Sequence, residues 1–371
     1  MPQRADVSDA GYNDAMQDRA EHLIEALCVV RDKANERDQT GAWPAEELAV
    51  LAEAGVMRWS IPAEFGGRDL SALELNLGYE AIAGASLAAA LVVSQRDSAA
   101  LLVAGGENAE LRDQLQQLGE NQFFATIGIA QLTTSRQGTI PALLATPAGG
   151  GGDGFTLTGV IPWSTGAAHA HWIVAGAALA TGEQILFILH PDQPGVTVEP
   201  PVPLVSLRST WTTQVTCRDV HIPPTQILRG PTPPSPGVLR GGKRGLVLGQ
   251  TFLAMGLCRS ALDLIDAHRS TSAEKAFSRL DEQFLSLRHE ILDLSQPGKE
   301  PDATAAAARL RGAINDLALR ITHTAITLYK GSALLSTHPA QRLAREAMFL
   351  LVWSCPNPVI DCTVDLLSGG R

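Results

Sequence analysis

The apolar residues of this chain change their period twice, and that double change limits the folds open to it. Up to residue 121 they recur at helical spacing, from 122 to 232 they fall into short β-branched runs, and from 233 onward helical spacing returns. "AEHLIEALCVVRDKANER" and "WPAEELAVLAEAGV" read as helices, with Pro44 in a first turn and Gly55 as a stop. "SIPAEFGGRDLS" is a turn-rich loop, in which Gly66 and Gly67 supply unusual backbone angles. "ALELNLGYEAIAGASLAAALVVSQRDSAALLVAGG" resumes the helical pattern, and its small residues allow close helix packing.

The middle stretch is different. "FFATIGIAQL", "GFTLTGVIPW", "HWIVAGAAL", "ILFILH", "VTVEPPV" and "TTQVTCRDVHI" are each bounded by Gly, Pro or Asp. Strands this close together, without helices between them, predict an antiparallel barrel or sandwich. "PAGGGGDG" reads as a hairpin turn; its glycines follow no strand-to-helix phosphate-binding pattern. "RGPTPPSPGVLRGGKRG" (229–245) reads as a linker. Four long amphipathic segments follow, the third capped by Asp302, and they predict a helical bundle with Met255 and Cys258 in its core. The fold class is α+β in three parts: residues 1–121 helical, 122–232 a β-barrel, 233–371 a helical bundle.

Composition narrows the partners. A net charge of −10 over 371 residues, with no stripe of Lys and Arg, argues against nucleic acid. No apolar run is read as long enough to cross a bilayer, and the polar first 20 residues are expected to form neither a signal peptide nor an anchor. Cys28, Cys217, Cys258, Cys355 and Cys362 are scattered without a CxxC pair, which predicts buried free thiols in a cytoplasmic protein. His169 and His171 in "AAHAHW" would share one face of a strand, but no third ligand lies nearby, and no metal site is expected.

The order of these segments, with particular motifs, resembles the acyl-CoA dehydrogenase family over nearly the whole chain after about residue 40. "SIPAEFGGRDLS" is similar to that family's Pro-x-x-x-Gly-Gly loop. "GDGFTLTGVIPWSTGAAHAHWIVAGA" resembles the segment in which a strand leads to Trp-x-Thr and an Ala-rich stretch. "SLRSTWTTQVTCRDVHIPPTQIL" resembles the strand pair that closes the middle domain, and Gly331 with "HPAQRLARE" resembles the turn and helix on the far wall of the active site. The resemblance implies a helical domain, a β-barrel and a four-helix bundle, with FAD between barrel and bundle, and assembly as a homodimer or homotetramer.

Residue by residue, the resemblance implies that Trp163 covers one face of a flavin, with Ser164 beside it and the Thr165 hydroxyl near the reactive ring nitrogen. An aromatic face excludes water from a flat ring, and a hydroxyl can steady charge that develops on reduction. From the residues alone, Trp163 also reads as a barrel residue following Pro162. The first flavin segment maps onto "IGIAQLTTSRQG", with Ile129 or Gln131 at the matching position and Thr133, Thr134 and Ser135 offering hydroxyls; a polar strand-end loop is the competing reading. The family's Arg-x-x-Phe-Gly motif is absent from "STSAEKAFSRLDEQF", which holds Phe277 and Arg279, and "SCPNP" stands near its Glu-Gly-Thr. Arg342 and Arg345 read as solvated helix-face charges, and Arg208 is a candidate for recognising CoA.

Dehydrogenation of an acyl thioester needs a base, and the resemblance implies that the position of the family's glutamate, two residues before a Pro, is Thr337. A threonine hydroxyl is no general base near neutral pH without an activating partner. The alternative family position, on the first bundle helix, maps to Leu246, and Glu346 lies about two turns beyond Thr337, pointing elsewhere. His338 is the adjacent titratable group, either a base or a surface histidine beside a helix cap. Three functions compete: an FAD-dependent oxidoreductase acting on the CH–CH group of an acyl thioester; a flavin-dependent monooxygenase on the same fold, although Leu350 and Trp353 stand where family oxygenases carry histidines; or a non-catalytic binding or assembly protein that has lost its flavin.

Overall fold

Ser71 begins the second helical stretch with a capping box: its side chain accepts from the Glu74 N–H while the Glu74 carboxylate accepts from the Ser71 N–H. Devices of this kind set the helix boundaries in the computed structural model, which describes residues 9–133, 142–149, 153–234, 248–296 and 303–370. α1 (Asp9–Thr40) and α2 (Ala45–Glu53) match the expected first helices, and Gly55 stops α2 with φ +77°. α3 (Ala72–Ala85) and α4 (Leu87–Ala104) follow, then the short α5 (Ala109–Asp113) and α6 (Leu115–Gly119).

β1 (Ala125–Gly128), a short α7 (Ala130–Thr133), β2 (Leu143–Pro147), β3 (Phe155–Ser164), β4 (Trp172–Ala178), β5 (Gln184–Leu189), β6 (Val196–Val198), β7 (Thr213–Ile222) and β8 (Ile227–Thr232) build the middle of the chain. They form one eight-stranded sheet in the order β6-β7-β3-β2-β4-β5-β8, with β1 beside β4. The expected antiparallel pairing needs one refinement. β1 and β2 both run parallel to β4, so the sheet is mixed. β4 and β5 are buried on both faces. Ile173, Ala175, Ile185 and Phe187 fill the core enclosed by the sheet, while Trp172, Val174, Leu186 and Ile188 pack against Ala99, Leu102 and Val103 of α4. Burial on two faces explains why "WIVAGAA" and "QILFIL" read as continuous apolar runs rather than alternating ones.

Two sequence expectations fail here. Residues 229–232, assigned to the linker, finish β8 and pair with β5, because Gln184 and Leu186 offer them an open strand edge; Pro at a strand end is tolerated there. α4 is also long and apolar enough to cross a membrane, contrary to the reading of the sequence, although 83% of it is buried inside the protein. Its midpoint carries Arg96 and Asp97, both fully buried. Arg96 pairs with Asp97 at 2.7 Å and donates to the Leu118 carbonyl at 2.6 Å, and the Tyr79 hydroxyl donates to Asp97 at 2.8 Å. A buried charge pair with its hydrogen bonds satisfied belongs to a protein core.

α8 (Gly249–Ala267), α9 (Thr271–Leu294), α10 (Ala303–Tyr329) and α11 (Pro339–Leu350) are the expected bundle, joined by a fifth helix, α12 (Asn357–Leu367), that periodicity did not reveal. Met255 and Cys258 are fully buried in α8, as expected. Among the thiols only Cys217 and Cys258 are buried; Cys28 is exposed and Cys355 and Cys362 are intermediate, which corrects the expectation of buried cysteines. α1 to α4 and α8 to α11 share one continuous apolar core, so helices separated in sequence by the whole sheet form one packed body. Small residues make this possible, as the sequence suggested. Gly256 of α8 lies so near α3 that a Cβ there would stand 2.3 Å from the Glu80 carbonyl oxygen. Asp302 lies outside the described residues.

Candidate active site

Trp163 sits where β3 loses its regular pairing with β7: the register shifts between Ile161 and Ser164, and Pro162 has no N–H to give the ladder. The irregularity turns the indole outward, leaving it 52% exposed next to two buried hydroxyl residues. Ser164 is 1% exposed and donates from Oγ to the Ile127 carbonyl at 3.1 Å. Its hydroxyl proton is therefore committed to the end of β1. Thr165 is held by its backbone, whose carbonyl accepts from Thr126 Oγ1 at 2.7 Å. The Gly166 N–H donates to Thr210 O at 2.9 Å, fixing this corner against residues 207–212.

That facing segment is shaped by two residues in the left-handed region, Leu207 at φ +56° and Trp211 at φ +48°. It brings a second and a third hydroxyl to Thr165. Thr165 Oγ1 lies 3.3 Å from Thr212 Oγ1, which lies 2.8 Å from Thr210 Oγ1, and Thr210 donates to the Leu207 carbonyl at 2.8 Å. Behind the corner stand the rings of Trp43, His169 and Trp211. His169 stacks on Trp43 at 4.3 Å with an interplanar angle of 17°, and the Trp211 ring lies 4.6 Å from it, tilted by 58°. Trp43 occupies the space that a side chain at residue 166 would need, and Gly166 has φ +65°, so only glycine fits. Burial lowers the His169 pKa, and its Nε2 is buried without a partner.

His169 and His171 do not share a strand face as expected. His169 lies in a single 3-10 turn and His171 precedes β4, accepting from the Phe124 N–H at 3.2 Å, because the left-handed Gly166 ends the strand early. Among the described residues no cluster of His, Cys, Asp or Glu could hold a metal. Arg208 donates to the Gln39 carbonyl at 3.2 Å, tying the barrel to α1. Gln131, in the stretch whose resemblance implied a flavin contact, gives both amide protons to the backbone, to Gly128 O at 2.9 Å and Gly176 O at 2.8 Å. Ile129 lies just before α7, Thr133 ends α7, and Thr134, Ser135 and Leu246 lie outside the described residues.

The turn before α11 begins the helix as the sequence suggested, with Pro339 at its first position, but the cap is not a hydroxyl. The ring of His338 supplies it: Nδ1 accepts from the Ala340 N–H at 3.2 Å. With Nδ1 accepting, the neutral ring carries its proton on Nε2 and has no second lone pair with which to take another. Its face lies 4.5 Å from Tyr329, whose own ring meets His268 at 4.9 Å. Thr337 is exposed, and the first turns of α8 and α11 contain no acidic residue. Arg342 and Arg345 are not solvated charges. Arg342 is buried, paired with Glu346 at 3.0 Å and donating to Asn35 at 2.7 Å; Arg345 pairs with Asp38 and donates to Val205 O. Periodicity could not reveal the contacts to Asn35 and Asp38, because these lie on α1, some 307 residues away, whereas Glu346 is an i+4 neighbour on α11 itself. Burial pushes the Glu346 carboxyl up while Arg342 opposes it.

Residues 13–121 match the family described as acyl-CoA dehydrogenase, N-terminal domain. The probable acyl-CoA dehydrogenase YngJ of Bacillus subtilis is 23% identical over 342 residues, covering 84% of this chain and 87% of the relative. Butyryl-CoA dehydrogenase from Megasphaera elsdenii has the same fold, with a TM-score of 0.79 at 20% identity over 99% of this chain and 100% of the other. A glutaryl-CoA dehydrogenase from Mycobacterium smegmatis, solved in complex with FADH2, superposes with a TM-score of 0.77 at 17% identity over 95% of each chain. By its N-terminal domain, its relatives and its fold, the chain is similar to the acyl-CoA dehydrogenase family.

Proposed function

We propose that the protein is a flavin-dependent oxidoreductase that binds FAD at the Trp163–Thr165 corner and acts on the CH–CH group of an acyl thioester. The observation that carries this reading is the half-exposed indole of Trp163 beside a buried, hydrogen-bonded Thr165. A large aromatic face left open at a bulge, with a polar group fixed next to it, suits a flat heteroaromatic ligand. The residues therefore fit the cofactor. Trp163 would cover one face and shut out water, Ser164 would hold the strand end in place, and Thr165 would meet a polar ring edge. When bound, a flavin supplies a two-electron acceptor for a hydride from substrate carbon.

The chain's own residues leave the proton side of that reaction open. Thr337 has no activating partner among the described contacts, His338 commits Nδ1 to the cap, and Glu346 is engaged by Arg342. This arrangement favours a second reading, a flavin-dependent monooxygenase, which needs no carboxylate to remove an α-proton. Assembly as a homodimer or homotetramer is part of either reading. It is supported by the apolar stripe of Ile360, Val364 and Leu367 left exposed on α12.

The purified protein is expected to show the two visible absorption bands of bound flavin, or to acquire them on incubation with FAD. A protein that stays colourless under both conditions is the scaffold without a cofactor, and the reading fails. Anaerobic bleaching of the bands by acyl-CoA thioesters supports the oxidoreductase. Oxygen consumption with supplied reduced flavin, without such bleaching, supports the monooxygenase.

A further inference from the structure

The three hydroxyls of Thr165, Thr212 and Thr210 have a fixed direction of donation. Each threonine hydroxyl has one proton to give. Thr210 is fully buried, and its Oγ1 lies 2.8 Å from the Leu207 carbonyl, which can only accept; the Thr210 proton is spent there. In the 2.8 Å contact between Thr210 and Thr212 the donor must then be Thr212. In the 3.3 Å contact between Thr212 and Thr165 the donor must, by the same count, be Thr165. The order is Thr165 to Thr212 to Thr210 to Leu207 O. Its terminus is immovable because φ +56° at Leu207 aims that carbonyl back at residue 210, where it also accepts the Thr210 N–H at 3.0 Å.

We infer that Thr212 and Thr210 are positioning residues that make Thr165 a hydrogen-bond acceptor toward the ligand at the Trp163 corner. This inference rests on the flavin reading of that corner and goes further, because it sets which redox state the corner prefers. A hydroxyl whose proton is drawn away into the protein offers only lone pairs outward. It matches a ring nitrogen that carries a proton, as the reactive nitrogen of a reduced flavin does, and mismatches the bare nitrogen of the oxidised ring. The relay therefore stabilises the reduced cofactor relative to the oxidised one. Removing the acceptor at residue 212 returns the proton to Thr165 and reverses the preference.

The test is the midpoint potential of bound flavin in wild type, Thr212→Val and Thr212→Ser, with flavin affinity measured alongside. Thr212→Val should lower the ratio of reduced to oxidised affinity about fivefold, the worth of one ordinary hydrogen bond, which for a two-electron couple is a fall of about 20 mV. Thr212→Ser keeps both links and should return the wild-type potential, a rescue that a purely structural role for the side chain would not produce. If circular dichroism shows Thr212→Val to be misfolded, Thr212→Ala takes its place with the same expected sign. Bound flavin with the same potential in wild type and the valine or alanine variant overturns the inference while leaving the flavin reading intact. Wild type that binds neither FAD nor FMN overturns the flavin reading, and the inference with it.

Discussion

Trp163, Ser164 and Thr165 are consecutive, yet each meets a different environment: an open indole, a hydroxyl tied to Ile127, and a hydroxyl tied to Thr212 and through it to Thr210. The residue types were legible in the sequence because Trp-x-Thr is a local motif. The relay was not, since Thr210 and Thr212 reach Thr165 only through two left-handed residues that no period announces. The same limit hid the surroundings of Arg342 and Arg345, whose charges looked solvated on a helix wheel: Arg342 pairs with Glu346 and donates to Asn35 of α1, and Arg345 pairs with Asp38 of α1. At this scale the indole is the most exposed commitment. Trp163→Ala should weaken flavin binding about tenfold or more, a loss of ~1.5 kcal/mol from one stacking face, with no change in thermal stability of the flavin-free protein. Isothermal titration with FAD checks it, and unchanged affinity would remove Trp163 from the site.

Helix packing is the second level, and here the sequence was more informative. The small residues of α3 predicted close approach, and the helix crosses α8 at Gly84 and Gly256. The two glycines are not equivalent. A Cβ on Gly256 would lie 2.3 Å from Glu80 O and 2.6 Å from the Ala83 Cβ, whereas a Cβ on Gly84 would meet nothing nearer than 3.6 Å. Gly256→Ala should therefore destabilise the protein by about 1–3 kcal/mol through overpacking. Gly84→Ala should be neutral or stabilise it by up to about 1 kcal/mol, because alanine is the better helix former. Urea denaturation of both variants separates the cases, and equal effects would refute this account of the crossing. Strand positions were equally legible, but the parallel partners of β4 were not, because local pattern gives a strand its period and leaves its neighbours unspecified.

For the molecule as a whole, the junction of its parts matters most. The loop after α1 meets the sheet through the Trp43–His169–Trp211 stack, with Trp211 Nε1 donating to Gly41 O at 2.9 Å. His169 takes a proton less readily in the folded protein than its ordinary value of 6.5, because burial disfavours the charged ring. Below pH 6.5 the unfolded chain therefore binds more protons at this position, and stability falls as pH falls through the folded value. His169→Phe keeps an aromatic filler and removes the titration. Its stability difference between pH 7 and pH 5 should be smaller than that of wild type, as read from urea midpoints at the two values. An unchanged difference would place the pH response elsewhere. The three-part order was readable from period alone, but the shared core of the first and last helical stretches was not, since period gives a helix its apolar face without naming what covers it.

The bonds from Asn35 and Asp38 to Arg342 and Arg345 also carry a cost in time. A ribosome adding roughly 5–20 residues per second needs about 15–60 s to travel the distance between those partners. For that interval the first helix exists without its final neighbours, its acidic side facing solvent or a chaperone. The nascent chain therefore completes its N-terminal body last, after the segment made at the other end has emerged.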